Sequence, residues 1–352
     1  MGFDVEFFRA LCLAPGPTGF EGPVQRVVRE RVGGFAEMQG DALGDLLAAA
    51  GPAVGPGFLA AAHADQIGLI VTYVDEHGFV SFERIGGVDH QVLPGRDLVI
   101  HASGGPVEGV VGRRPVHFTP KDERGKAPEV QEQFIDIGAG NREAALERIA
   151  IGDPITFAPR FLELSDDMYA TQAADDRAGV YAVARALELY AASPGAARFV
   201  AFSTVQEEST SMGARAQTLQ QRPACVVVVD VDFATDHPGV DVKKAGGEVK
   251  LGGGPVLFRG TGSNSRLFDL AREVAAEEGV DVQVKAAPGR MSTDADELMA
   301  AGAATLSLSV PLRYMHSPFE VVRGIDMEAA ARLLAALARR VGDVFEPGRF
   351  VP

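Results

Sequence analysis

The residues of this 352-residue chain with the clearest chemical potential are two imidazoles and a series of carboxylates. In chain order they are His63, Asp65, Asp175, Asp176, Glu207, Glu208, Asp230 and His316. Nitrogen and carboxylate oxygen together form the ligand mixture that a site for two zinc-like ions requires. Most of these residues stand at or just past the end of an apolar run, where a strand is expected to end.

Strand ends are the natural place for such a site, because active sites of open α/β sheets lie at the carboxyl ends of the strands. The candidates and the runs they follow are His63 after 58–62, Glu207 and Glu208 after 198–205, Asp230 after 225–229, and His316 after 305–310. Several buried acids at one sheet edge would repel one another unless cations neutralise them. The pattern therefore favours a metal site.

Each candidate alone also has an ordinary structural explanation. Asp175-Asp176 is typical of a helix N-cap followed by an acid in the first turn. His63 would fit the end of a strand, and Glu207-Glu208 would fit a solvated turn. Asp230 and His316 would fit loops. Taken together they favour metal binding, because unrelated surface residues would not follow apolar strands so regularly.

The elements that must position these residues fall into two patterns. From about 69 to 161, short alternating segments separated by Gly, Pro and Asp predict a small β-rich domain or barrel. After Asp175, alternating strands and helices predict an α/β domain with a mainly parallel central sheet flanked by helices. Candidate site residues are absent between Asp65 and Asp175. The simplest organisation is a β domain (71–163) inserted into the α/β domain, which is then formed by 1–70 and 164–352.

Individual elements are predicted from the same periodicities. Helices are expected over 5–13, about 21–32, 178–192, 212–221, 265–278, 294–301 and 326–341. Strands are expected over 58–62, 80–83, 98–101, 109–112, 134–137, 154–157, 198–204, 224–229, 282–285 and 305–310.

Composition limits the function classes. The chain is 46% hydrophobic and 23% charged with a mean hydropathy of +0.06, which is typical of a globular protein. Its net charge of −15 and absence of a Lys/Arg cluster argue against a nucleic-acid partner. Cys12 and Cys225 lack metal-ligand spacing and predict no disulfide framework. The N-terminus is unlike a signal peptide and no apolar run approaches ~20 residues, so we expect a cytoplasmic protein without membrane contact.

The motifs resemble the tetrahedral aminopeptidases, a family that includes glutamyl and deblocking aminopeptidases among the zinc exopeptidases with two co-catalytic metals. The resemblance runs almost end to end. The segments that carry it are 14–21 (APGPTGFE), 62–68 (AHADQIG), 85–87 (IGG), 92–95 (VLPG), 135–139 (IDIGA), 151–154 (IGDP), 175–177 (DDR), 205–208 (VQEE), 230–236 (DVDFATD), 292–295 (STDA) and 313–318 (RYMHSP). It implies a catalytic α/β domain with an inserted PDZ-like β domain.

The resemblance also implies roles for single residues. It assigns one metal ion to His63, Asp175 and Asp230 and the other to Asp175, Glu208 and His316, so that Asp175 bridges. Glu207 would be the general base, and Asp65 would orient His63. The chain departs from the common family pattern at Gln66, Asp176 and 209–212, where Glu, Asn and a segment containing Val-Gly are frequent. None of these positions is an assigned ligand.

The implied activity is removal of N-terminal residues from peptides with a free N-terminus. Two divalent ions per subunit, zinc first with cobalt or manganese as alternatives, would activate a bridging water whose proton Glu207 takes. The family also implies a homo-oligomer, from dimers up to dodecamers, with the inserted domain at the contacts or controlling substrate access.

Two other functions fit parts of the pattern. A carboxylate-pair glycoside hydrolase, endoglucanase-like, would use Glu207 with a second acid. However, the chain has no Trp and only five Tyr for sugar stacking, and this function leaves the two imidazoles unexplained. A non-catalytic metal-binding scaffold would not need Glu207. The other histidines are expected not to be ligands: His77, His90, His101 and His117 in the β segment, with His237 retained as a minor candidate.

Overall fold

The computed structural model describes residues 2–122, 124–165, 167–218, 220–221 and 223–343. The helices are α1 Val5–Leu13, α2 Gly22–Val32, α3 Arg142–Leu146, α4 Ala174–Ala192, α5 Met212–Thr218, α6 Ser265–Glu277, α7 Ala295–Leu298 and α8 Gly324–Arg340. The strands are β1 Glu37–Gly40, β2 Leu46–Ala50, β3 Gly57–His63, β4 Gly68–Val74, β5 Val80–Ile85, β6 Asp97–Ala102, β7 Gly105–Arg113, β8 Gln133–Asp136, β9 Pro154–Phe157, β10 Phe161–Ser165, β11 Met168–Thr171, β12 Arg198–Thr204, β13 Cys225–Phe233, β14 Val256–Gly260, β15 Gln283–Ala287, β16 Ala304–Leu312 and β17 Glu320–Arg323.

The large sheet has eight strands in the order β1-β2-β12-β3-β13-β16-β14-β15. Its centre is parallel, because β3 runs parallel to both β12 and β13, and β13 runs parallel to β16. The pairs β1–β2, β2–β12 and β14–β16 are antiparallel. The parallel centre matters for function, since it brings the carboxyl ends of four strands to the same edge.

Helices cover both faces of this sheet. Alternate side chains of β13 enter different cores: Val227 and Val229 pack with helices α4, α6 and α8, whereas Val226 and Val228 pack beside α5 and α7. This period of two explains why the strand is a continuous apolar run, as expected for a strand buried on both faces. The predicted α/β class, with a mainly parallel centre and flanking helices, is confirmed.

Six strands between Gly68 and Phe157 close into a barrel in the order β4-β5-β8-β7-β6-β9. All six pairings are antiparallel. Its interior is a separate hydrophobic cluster that includes Leu69, Phe82, Ile100 and Ile135. The barrel predicted from the alternating segments is therefore present, while the domain boundaries at 71 and 163 stay predictions.

A small sheet, β10-β11-β17, lies where the chain returns from the barrel. In this sheet Thr171 of β11 pairs with Glu320 of β17. Since α4 starts three residues after Thr171, this pairing brings the start of α4 beside the segment that leads into β17. The sheet thus joins the regions that carry Asp175 and His316.

The sequence missed several elements and misjudged some ends. β2 was not predicted because Leu46–Ala50 is buried at every position and Ala-rich, so it shows no alternation. The single helix expected over 294–301 is instead α7 followed by a 3-10 turn, Met299–Ala301. The helix expected over 212–221 ends at Thr218, and residue 219 lies outside the described part. Within that part, no helix is both long and apolar enough to span a membrane.

Candidate metal centre

The site forms where neighbouring strands of the large sheet separate. β3 remains paired with β12 up to its last residue, where His63 stands opposite Thr204. Its pairing with β13 ends earlier, at Ala61 and Val228. β13 nevertheless continues to Phe233 along β16. A gap therefore opens between β3 and β13 at the carboxyl edge of the sheet.

Asp230 lies beside this gap, and its position corrects an expectation. It was predicted to follow a strand ending at residue 229, but it lies inside β13. The strand extends further because its pairing with β16 continues through Asp230 and Ser309 to Phe233 and Leu312. Asp230 is thus held by the sheet on one side and faces the gap on the other.

The imidazole of His63 is surrounded by acids. Its Nε2 lies 3.2 Å from Oδ1 of Asp175, 3.9 Å from Oε2 of Glu207 and 4.0 Å from Oδ1 of Asp230. His63 and Asp175 are 112 positions apart in the chain, with the whole barrel between them. The structure therefore brings together residues from β3, α4, β13 and the turn after β12.

His316 completes the group from the opposite side. Its Nε2 lies 3.4 Å from Oδ2 of Asp175 and 3.4 Å from Oε2 of Glu208. Asp175 thus directs one oxygen towards His63 and the other towards His316. Two groups of three residues each offer ligand atoms that lie within 4.8 Å of one another inside the group. One group is His63, Asp176 and Asp230, and the other is His63, Asp175 and Glu208.

Asp176 is the member of these sets that the resemblance did not assign as a ligand. Its Oδ2 accepts a hydrogen bond from the amide of His63 at 3.3 Å, and its Oδ1 accepts one from the amide of Gly179 at 2.9 Å. Burial, together with the charge of Asp230, raises its pKa well above the usual range. Both carboxylate oxygens of Asp176 therefore already accept hydrogen bonds from backbone amides, and these bonds connect β3 to the start of α4.

Asp65 organises the turn after β12. It accepts hydrogen bonds from the amides of Glu207 at 2.9 Å and Glu208 at 3.1 Å and from the hydroxyl of Thr18 at 2.7 Å. Its Oδ1 also lies 3.4 Å from Nδ1 of His63. Burial acts to raise the pKa of Asp65, but these contacts outweigh it and the pKa is lowered. One buried carboxylate thus faces the imidazole and holds both glutamates.

Glu320 is a site residue that the sequence did not single out. It is buried, and its two oxygens accept hydrogen bonds from the amide of Asp175 at 3.0 Å and from the amide of His316 at 2.8 Å. Burial and the charge of Asp175 raise its pKa well above normal. An acid four residues after His316, at the start of an apolar strand, was the available signal. Glu320 fixes two backbones that carry candidate ligands.

Excess negative charge dominates the electrostatics of the site. Burial, with the nearby charge of Asp230, raises the pKa of Glu207 to about 9. Burial, with the charge of Asp175, raises the pKa of Asp230 to about 8. Hydrogen bonds with Asp175 and Glu208 raise the pKa of His316 to about 11. The carboxylates therefore favour any positive partner, and bound cations would replace these protons.

The donor set fits metal ions. Imidazole nitrogen and carboxylate oxygen suit zinc and related divalent ions. Oε1 of Glu208 is buried and, among the described residues, has no hydrogen-bond partner. An unpaired buried carboxylate oxygen is costly unless a cation compensates it.

A cavity of about 390 Å³ adjoins the centre. Beyond the candidate ligands, its wall is mostly apolar and includes Phe233, Phe258, Met291 and Met315. Asp232 also lines it, but Nζ of Lys285 lies 2.8 Å from each of its carboxylate oxygens. The cavity has room for a small organic group next to the acids.

Comparisons with known proteins show which family the chain belongs to. The model of the M42 glutamyl aminopeptidase family matches residues 44–333. The lysyl aminopeptidase of Pyrococcus furiosus is 33% identical over 356 residues, covering 99% of each chain. The TET aminopeptidase of the marine sediment archaeon Thaumarchaeota archaeon SCGC AB-539-E09 is 31% identical, with a TM-score of 0.91 and 96% of each chain covered. The TET1 peptidase of Pyrococcus horikoshii, which can assemble into a tetrahedron or an octahedral shell, is 28% identical, with a TM-score of 0.86 over 95% of this chain and 98% of that one.

The resemblance to tetrahedral aminopeptidases that the motifs indicated is thereby confirmed. The family match spans most of the chain and contains every candidate site residue from His63 to His316. The chain belongs to the M42 glutamyl aminopeptidase family and is an aminopeptidase, a peptide hydrolase of the exopeptidase type.

Proposed function

We propose that this aminopeptidase works with two divalent cations that share Asp175. One would be held by His63, Asp175 and Asp230, and the other by Asp175, Glu208 and His316. The observation that carries the proposal is the position of Asp175, whose two oxygens lie 3.2 Å and 3.4 Å from Nε2 of His63 and of His316. Zinc is the ion we expect first, with cobalt and manganese as alternatives, because all accept imidazole and carboxylate ligands.

Glu207 is the proposed general base. When bound, the cations would supply Lewis-acid chemistry that acidifies water and polarises the scissile carbonyl group. Glu207 lines the cavity, and its Oε2 lies 3.9 Å from Nε2 of His63, so it can reach a reactant beside the ligands. It accepts a proton from the attacking water and later delivers it to the leaving amine. Asp65 holds Glu207 in place through the amide hydrogen bond.

The cavity explains why the enzyme would act at chain ends. The side chain of the first residue of a peptide would enter the apolar part of the cavity, between Phe258 and Met291. Its free α-amino group would then lie beside the centre, where it would be attracted to one of the cations through its lone pair or to a carboxylate that no cation occupies. A blocked amine loses that attraction, so peptides with a free N-terminus are the proposed substrates.

The rival functions fit the site less well. A glycoside hydrolase needs a carboxylate pair, whereas here two imidazoles lie within 4.0 Å of the acids. A non-catalytic scaffold would have no use for Glu207, because the proposed ligand sets are complete without it. Both alternatives leave a central residue without a role.

The decisive experiment combines metal analysis with a panel of aminoacyl-anilides and their N-acetylated forms. We expect about two ions per chain, hydrolysis of free aminoacyl-anilides and resistance of the acetylated forms. Hydrolysis of a β-glucan, with no cleavage of any anilide, would favour the glycosidase. Tight metal binding without turnover of either substrate would favour the scaffold. Cleavage of an acetylated peptide at an internal bond would contradict the exopeptidase mechanism.

Self-association is a separate proposal. We propose that the chain forms homo-oligomers, from dimers up to dodecamers, and that residues 71–163 form a separate domain that makes contacts between subunits or controls substrate access. The barrel exposes apolar side chains that such contacts would cover, including Phe118, which is 77% exposed. Light scattering of the purified protein tests this, and a monomer at micromolar concentration would contradict it. The cytoplasmic location expected from the sequence stays a prediction.

A further inference from the structure

The barrel touches the candidate metal centre at one turn. Gly86 and Gly87 follow β5, and the carbonyl oxygen of Gly87 lies 3.2 Å from Nδ1 of His316, 229 positions later in the chain. A carbonyl oxygen can only accept, so Nδ1 must carry the proton of this hydrogen bond. This tautomer leaves Nε2, the atom that faces Asp175 and Glu208, available as a ligand.

The same turn also leaves space for the ligands. A Cβ atom at Gly87 would overlap Nδ1 of His316 and lie 2.7 Å from its Cε1. A Cβ atom at Gly86 would lie 3.3 Å from Oε2 of Glu208. The backbone of Gly87 is outside the left-handed region, so alanine there meets no backbone strain and only the imidazole opposes it.

The imidazole of His316 is less enclosed by the protein than that of His63. It lies outside the regular strands, between β16 and β17, and its side chain is 33% exposed, whereas that of His63 is 2% exposed. The backbone of His316 is held by Glu320, but the ring contacts that the structure places are Asp175 and Glu208 on one side and Gly87 on the other. The two acids would be engaged by a cation, which leaves the Gly87 carbonyl to set the ring orientation.

We propose that Gly87 is a positioning residue of the metal centre, supplied by the barrel. Its carbonyl fixes the tautomer and orientation of His316, and its missing side chain leaves room for the ring. The barrel is then part of the site and not only a contact surface. This inference rests on the proposed metal-dependent function, and the experiment below separates the two.

The test is Gly87→Ala, studied as the full-length protein first stripped of metal and then titrated with Co²⁺ or Zn²⁺. Loss of an outer hydrogen bond to a metal-binding histidine typically weakens affinity by about 10–100-fold. We expect a loss of that size at one of two positions, with the matching part of the Co²⁺ absorption spectrum changed. The matched control is Gly104→Ala, in the turn between β6 and β7, where an added Cβ meets no atom within 4 Å.

A double-mutant cycle with His316→Ala shows whether the effect passes through the imidazole. Gly87→Ala should cost little further affinity once the ring is gone, because its clash partner is absent. If Gly87→Ala alone destabilises the metal-free protein, the double variant should recover thermal stability relative to it. Parent-like affinity in Gly87→Ala, or equal losses of affinity with and without the ring, would overturn the inference. Where Gly87→Ala destabilises the metal-free protein, absence of recovery in the double variant would overturn it as well.

The proposed function is checked by the parent protein in the same titration. A parent that binds no divalent ion would overturn the metal-dependent function and this inference with it. A parent that binds two ions, beside a Gly87→Ala variant that binds them equally well, would overturn the inference alone.

Discussion

The chain has seven histidines, and their distribution contrasts the barrel with the carboxyl edge of the large sheet. Four of them lie in the barrel region: His77, His90, His101 and His117. His77 and His117 are exposed, and His101 shares a hydrogen bond with Thr156 at 2.9 Å. The sheet edge has fewer histidines, His63 and His316, but both lie against several carboxylates. Placement, and not number, decides which histidines can bind a metal.

The buried side chains of the two regions differ in the same way. In the described residues between 68 and 157, the buried polar side chains are Gln133 and Thr156, and the rest of the interior is apolar. At the sheet edge, buried acids and a buried histidine are packed together, including Asp65, Asp175 and Asp230. Burying charge is costly unless partners compensate it. We therefore expect the barrel interior to stabilise the fold, and the acids buried at the sheet edge to cost stability unless partners compensate their charge.

Metal removal should have the largest effect on activity, and this effect should arise at the sheet edge and not in the barrel. We expect a strong chelator to abolish peptide hydrolysis, because the carboxylates and imidazoles of the sheet edge have no chemistry of that kind without cations. Added Zn²⁺, Co²⁺ or Mn²⁺ should restore turnover. The measurement is the rate on an aminoacyl-anilide beside the metal content of the same sample. Full activity in a metal-free sample would contradict the difference drawn between the regions.

Two neighbouring residues of the sheet edge should respond differently to the same substitution. Glu207→Gln should lower the rate by about 10²–10⁴-fold while metal content stays near that of the parent, because it removes a general base and no ligand. Glu208→Gln should instead lose metal at one position. Steady-state kinetics with metal analysis of both variants measures this. The opposite pattern would exchange the roles of the two glutamates.

The barrel core should control stability without controlling metal content. Ile100 is fully buried there, so Ile100→Ala should lower the free energy of unfolding by about 2–5 kcal/mol. Val110, on the same barrel but 52% exposed, supplies the control, since Val110→Ala should change it by less than about 0.5 kcal/mol. Denaturant unfolding gives the free energies, and metal analysis of the folded variants should match the parent. A folded Ile100→Ala protein that lacks metal would contradict the prediction that the barrel core controls stability and not metal content.

The smallest effect is expected for the barrel histidines. Alanine at His77, His90, His101 or His117 should leave metal content and turnover close to those of the parent. His101→Ala should lose a little stability through its contact with Thr156. The four single variants, measured for metal and activity, sharpen the comparison with His63→Ala and His316→Ala, which should lose metal. Coordination of metal by any barrel histidine within its own subunit would overturn the assignment of the two regions.

Regular patterns made most of the fold predictable. The apolar spacing of 5–13 predicted α1 with its observed ends, and the run 198–204 predicted β12. Ala-rich β2 was missed because it is buried on both faces and lacks a period of two. β13 was predicted too short because Asp230 and Asp232, polar residues that usually end a strand, continue the pairing with β16. Pairing with a neighbour overrode local preference at these places.

The candidate site was predictable as a set of residue types but not as an arrangement. The sequence offered Asp65 as a partner of His63, and the structure adds that Asp65 also holds the amides of Glu207 and Glu208. Glu320 and Gly87 were given no role from the sequence, because their roles depend on hydrogen bonds to residues far away in the chain. Asp294 is similar, since it is buried and accepts a hydrogen bond from Thr204.

By itself, the sequence determined the chemical character of this protein: the acids and imidazoles, the apolar runs before them, the barrel between them and the family they resemble. These are properties of residue type and short spacing, which can be recognised in the sequence without knowledge of tertiary contacts. Only the tertiary structure decided that Asp175 lies between His63 and His316, that β13 parts from β3 beside Asp230, and that a glycine of the barrel meets His316. Such contacts depend on strand register and on the packing of segments far apart in the chain, which residue spacing does not encode.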